Sequence, residues 1–174
     1  FGNAPKALWE RWIPADSRNR IDLACRCLLI NDKGRLILFE TGIGSFFSPK
    51  YKDRYGVVED EHVLLKNLSA LGLSHQDIDV VVLSHLHFDH AGGLLSQYVE
   101  TKSSDLLFPN ANYLIGKRAW NRALNPHLRD KASFVPHLNT LLEQSNRLVL
   151  VDGPKSKALG DRYTFHFSDG HTPG

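Results

Sequence analysis

Apolar residues along the chain fall into short dense runs and helical stripes, and the two kinds alternate. The apolar run over 78–83 predicts a strand buried on both faces. Another run, 23–30, predicts a strand. It leads into Asn31-Asp32-Lys33-Gly34, a hairpin-type turn that returns the chain as a strand over 35–39. From about Asp60, Val63, Leu64, Leu68 and Leu71 recur on one helical face, with Gly72 as the stop. Further helices are expected from near Ala91, over Lys117–Leu124 and over Pro136–Gln144, and late strands at 147–151 and 162–167. Residues 45–58 read as an aromatic and basic loop, and the first twenty residues as an extended arm. No repeat, low-complexity tract or linker divides the chain. A single α/β domain over 1–174 is therefore expected.

Composition narrows this only a little. With 174 residues the chain fits one domain or part of one, large enough to fold without disulfides or structural staples. Lys and Arg number 21 against 19 Asp and Glu, interspersed, which argues against a nucleic-acid partner. No apolar stretch approaches the roughly 20 residues of a membrane span. Cys25 and Cys27 lie two apart on an expected strand, on one face and too far apart for a comfortable disulfide. They read as two buried free thiols in a reducing compartment, hence a cytoplasmic location. The chain starts at Phe1, lacks Met and stops at Gly174 in what reads as a loop, so both ends are expected to be trimmed.

The concentrated chemistry follows the buried strand, in Ser84-His85-Leu86-His87-Phe88-Asp89-His90-Ala91-Gly92-Gly93. Binding crevices lie at the C-terminal ends of strands in α/β sheets. His85 and His87, two apart on a chain leaving a strand, converge on one cation, while Asp89 and His90 suit a second close by. Two metals about 3.5–4 Å apart share a hydroxide and clamp an oxygen anion. Mixed imidazole and carboxylate ligation suits zinc best, with iron or manganese as alternatives. Three histidines and an aspartate so close together are too costly to bury without partners.

This pattern resembles the metallo-β-lactamase superfamily, whose His-x-His-x-Asp-His motif is matched at His85, His87, Asp89 and His90. Residues 34–44, a strand running into Glu40-Thr41-Gly42-Ile43-Gly44, resemble the family's first motif, and Gly170-His171-Thr172-Pro173-Gly174 its third. The residues Pro5-Lys6-Ala7-Leu8-Trp9, Phe88 and Ala91-Gly92-Gly93 resemble the branch that holds the N-acyl homoserine lactonases. The resemblance implies a four-layer αββα sandwich, of which this chain is the N-terminal part, and two zinc ions per complete domain. It adds His171 to the first metal site and places Glu40 and Ser84 behind the ligands. Glu40 stands where the family has Asp, and Ser84 where it has Thr. The family's bridging Asp and last histidine lie downstream of the third motif, beyond Gly174.

The implied activity is hydrolysis of a small molecule by metal-bound hydroxide attacking a carbonyl, lactone or ester first, thioester or amide next. Asp89 would bind the second metal, orient the hydroxide and pass a proton to the leaving group. No Gly-x-Ser-x-Gly nucleophile is present. A mononuclear iron enzyme resembling the persulfide dioxygenases and a non-catalytic metal-binding fragment are the alternatives, and a homodimer is the oligomeric expectation. Phe46, Phe47, Tyr51 and Tyr55 resemble a substrate-facing loop, with packing an equal reading. His62 and His75 read as surface positions at helix ends, His127 and His137 as loop or helix-start residues, and His166 and Trp120 as structural.

Overall fold

The computed structural model describes residues 4–174. Its strands are β1 (Leu28–Asp32), β2 (Arg35–Phe39), β3 (Val80–Leu83), β4 (Asn112–Gly116) and β5 (Leu148–Val151), in one sheet of that order. The β1–β2 hairpin is antiparallel, and β2 through β5 are parallel. Lys33 and Gly34 form the hairpin turn at φ 57° and 90°, the conformation that matches the twist of the flanking strands. Asn31 secures it by accepting the Gly34 N–H at 2.8 Å.

The helices are α1 (Lys6–Trp9), α2 (Pro49–Tyr55), α3 (Val63–Ala70), α4 (Phe88–Ala91), α5 (Lys117–Leu124) and α6 (Pro136–Gln144). Side chains alternate across the strands. Leu36, Leu38, Val81, Leu83, Tyr113 and Ile115 point to one face and pack with Leu68, Trp120, Leu138 and Leu142 from the helices. Ile37, Val80, Val82 and Leu114 point to the other, where Leu159, Tyr163 and Phe165 from the irregular segment after β5 lie against them. β3 is buried at every position, as its composition requires.

Several expectations are corrected. The strand expected over 23–30 begins at Leu28, because Phe39 is the last hairpin partner and Glu40 then turns away at φ 62°. Cys25 is consequently exposed and Cys27 half-buried, rather than both buried. Residues 162–167 form no strand; Phe165 N–H bonds only to Pro154 O, at 2.9 Å. Part of the 45–58 loop is the helix α2, started by Pro49 and ended by Gly56 in the left-handed conformation. α3 starts later and ends sooner than expected, at Val63 and Ala70, so Leu71 lies past its end at 67% exposure and Leu68 is the residue it buries. The expected arm carries the short α1; residues 1–3 of it lie outside the described residues. β4 was not foreseen.

Candidate metal centre

β3 delivers Ser84 to the sheet's C-terminal edge, and the next nine residues curl back over it. Two segments brace each other there. Thr41 donates its N–H and its Oγ1–H to His90 O, at 2.9 and 2.8 Å, and Gly93 N–H bonds Gly42 O at 2.9 Å. The backbones approach so closely that a Cβ on Gly93 would sit 2.0 Å from Thr41 O, and one on Gly92 2.3 Å from Ile43 O. Only glycine fits at these two positions.

On this base three imidazoles converge. Ligand-capable atoms of His85, His87 and His171 all lie within 4.8 Å of one another. His87 Nδ1 and His171 Nε2 are 3.1 Å apart, close to the ~3.3 Å edge of a tetrahedron of nitrogens at ~2.0 Å from zinc. His85 turns Nδ1 to the Ser84 hydroxyl at 3.0 Å, and its Nε2 is buried with no partner. Burial and the neighbouring rings of His90, His87 and His171 push the His85 pKa down to about 3. His87 is lowered too, by burial and then by His171. The His85 and His87 rings are therefore neutral near pH 7, the form that ligates a cation. The orphaned inward Nε2 of His85, the facing nitrogens of His87 and His171 and the neutral His85 and His87 rings fit a divalent metal.

Asp89 and His90 flank this triad rather than join it. Asp89 is about half exposed and lies 3.5 Å from His90 Nε2. His90 Nδ1 meets Glu40 Oε2 at 3.1 Å, while Glu40 Oε1 accepts the Ser84 N–H at 3.0 Å. The longer Glu side chain thus reaches both the ring and the strand end. It does so from a left-handed backbone that costs ~1–2 kcal/mol for a residue with a Cβ. The Glu40 hydrogen bond raises the His90 pKa.

The aromatic residues divide. Phe46 belongs to the core, packed over Gly92, so the expectation that it faces substrate is corrected. Phe47, Tyr51 and Tyr55 stack beside Phe88, next to His87, with Phe47 and Phe88 5.2 Å apart edge to face. His62 is also corrected. It is buried, capping α3 through Nδ1 and holding Gly93 O through Nε2 at 3.0 Å. Periodicity does not distinguish a buried cap from a surface one. Sequence reasoning missed Asp130 as well, which lies 3.9 Å from His87 Nε2 inside an Arg-Asp-Lys stretch that reads as solvated surface.

The model of the metallo-beta-lactamase superfamily matches residues 20–97, which contain both braced segments. That match, together with the fold, relates the chain to the metallo-beta-lactamase superfamily. Divalent metal binding is the property of that family which the imidazole cluster fits. A second model, of the anti-Pycsar protein Apyc1, matches residues 60–146. The Apyc1 protein of Bacillus phage 010DV004 is 31% identical over 116 residues, covering 56% of this chain and 44% of its own. A probable metal-dependent hydrolase from Staphylococcus aureus has a similar structure, with TM-score 0.75 and 30% identity, over 90% of this chain and 54% of that one. AidC, a dizinc quorum-quenching lactonase in complex with its product, gives TM-score 0.62 and 30% identity, over 85% and 49%. Superfamily members thus share this α/β arrangement, and the chain spans about half the length of these relatives. Among the described residues no helix is long and apolar enough to cross a membrane.

Proposed function

We propose that the protein acts as a metal-dependent hydrolase of a small carbonyl substrate, lactone or ester first. His85, His87 and His171 would hold one zinc ion, and Asp89 and His90 would face a second. Zinc bound there would supply a nucleophile at neutral pH by lowering the pKa of a coordinated water toward about 7. The chain's own groups then orient and move protons. Ser84 fixes the His85 ring and Glu40 the His90 ring, each through the nitrogen that points away from the centre. Asp89, half exposed beside His90, is the carboxylate that can take up the proton the attacking water releases and hand it to the leaving group. Phe47, Tyr55 and Phe88 form an apolar wall next to His87 where an acyl chain can lie.

The observation that carries this reading is the convergence of the His85, His87 and His171 imidazoles, with His85 and His87 neutral and the inward Nε2 of His85 without a protein partner. The lactone preference is supported by the likeness to AidC. The test is metal quantification of the purified protein, followed by a panel of lactones, esters and thioesters on the same sample. Zinc with lactone or ester turnover is expected. One equivalent of iron with oxygen consumption would overturn the hydrolase, and bound metal without any turnover would leave a metal-binding module.

A further inference from the structure

His87 presents two different surroundings to its two nitrogens. Nδ1 faces the His171 ring at 3.1 Å. Nε2 is buried without a partner, and the nearest carboxylate, Asp130 Oδ2, stands 3.9 Å away. Asp130 is itself unusual: its side chain is only 15% exposed, and its Oδ1 is also buried and unpartnered. Arg122 on α5 holds Oδ2 through Nε at 2.9 Å. The segment carrying Asp130 is pinned to the centre, since Phe134 bridges His87 along the backbone and packs its ring edge-on at 4.6 Å.

A buried ring nitrogen without a partner is costly, and so is a buried carboxylate with one oxygen unpartnered. A hydrogen bond from Nε2 to the Asp130 carboxylate relieves the ring, since Oδ2 can accept from His87 as well as from Arg122. A carboxylate is an acceptor only, and a neutral imidazole carries one N–H. Closing the gap needs a movement of about 1 Å to reach ordinary hydrogen-bond distance. Without such an acceptor the His87 proton has a competing place, on Nδ1, where it would donate to His171 Nε2 and block both nitrogens that face the centre. The choice between these tautomers is what the surroundings of Nε2 decide.

We propose that Asp130, held in place by Arg122, is a further positioning residue of the centre, the one behind His87. Its carboxylate accepts the His87 Nε2–H and keeps Nδ1 bare toward His171. Carboxylates behind ligand histidines fix tautomer and ring orientation in this way, and their loss typically costs 10–100-fold in metal affinity. The assignment rests on the metal-centre reading given above.

The test reads the tautomer and the affinity separately, in the purified full chain. Two-dimensional 15N spectra of the metal-free protein, with the His87 signals assigned by their loss in His87→Gln, are expected to show the Nε2–H form at pH 7.5. Asp130→Ala is expected to move His87 toward the Nδ1–H form and to weaken zinc binding 10–100-fold by chelator competition. Asp130→Asn keeps an acceptor for Arg122 and is expected to lie between, so it serves if the Ala variant fails to fold. Wild-type tautomer and zinc affinity in both variants, even with a lowered Tm, would mark a purely structural residue and overturn the proposal. Failure of the metal-centre reading looks different: the wild type would bind zinc no better than His85→Ala. The tautomer, read without metal, still decides for or against Asp130 in that case.

Discussion

The centre draws its three converging histidines from two regions built in opposite ways. Residues 84–93 are locked: His85 and His87 are buried, and the backbone is zipped to Thr41–Gly44 with no room for a single Cβ at Gly92 or Gly93. Residues 166–174 are irregular and largely exposed, His171 included. They are held by the exposed Arg118–Asp169 pair at 2.7 Å and by Gly174 N–H to Asp169 at 2.9 Å. Two of the three imidazoles are thus presented by the fold whether or not a cation is there, and the third is supplied by a lightly tethered segment. Binding at such a site spends little on ordering the first region and more on the second.

Breaking the locked region should have the largest effect. Gly93→Ala forces a Cβ against Thr41 O and is expected to cost about 3 kcal/mol, a Tm fall of roughly 6–12 °C for a domain of this size, read by calorimetry. Next comes a pair of ligand deletions. His87→Ala and His171→Ala should both remove most bound metal and all hydrolysis, measured by metal analysis and lactone turnover. They should differ in the metal-free protein: His171→Ala leaves Tm within about 2 °C, whereas His87→Ala lowers it, because only His87 is buried. Equal Tm losses would erase the contrast between the regions.

A smaller effect tests the lock through pH. Burial lowers the pKa of His62, which holds Gly93 O as a neutral ring. In the unfolded chain its pKa returns to about 6.5. Between its folded value and about 6.5 the unfolded chain binds more protons, so stability is fully present above pH 6.5 and falls as the pH drops below it. His85 and His87 act in the same direction; His90, raised by Glu40, acts in the opposite one. Urea midpoints of the metal-free protein should therefore fall below pH 6.5, and His62→Gln should flatten that fall while lowering stability near neutrality. The smallest effect is expected from Arg118→Ala. Its pair with Asp169 is exposed, so Tm should not change measurably, while zinc affinity drops a few-fold as the His171 segment loosens.

Much of the first region is legible in the sequence. The run ending at Leu83, the spacing of His85, His87, Asp89 and His90, and the two glycines after them act within ten residues. α5 and α6 are found at their observed bounds, since each is an amphipathic stripe of two or more turns. β4 was missed because Asn112-Tyr113-Leu114-Ile115-Gly116 is short and becomes a strand by pairing with β3 and β5. Residues 23–27 failed as a strand for the converse reason: the run is apolar enough, but the hairpin has no partner for it beyond Phe39. Phe46 and His62 could not be told from their exposed neighbours, because burial there depends on Gly92 and Gly93 lying underneath.

The sequence by itself determined which groups can bind a cation and that four of them leave one strand together, because bonded neighbours cannot drift apart. It also determined the hairpin turn and the two late helices, whose signals are local. The residues by themselves leave open that His171 meets His87 across 84 positions and that Glu40 reaches His90 across 50, which only the family resemblance implied. That Asp130 stands behind His87 was decided by the tertiary structure alone. These contacts depend on how the parallel strands and their crossovers stack, and loop closure over such distances leaves no periodic trace in the residues it joins.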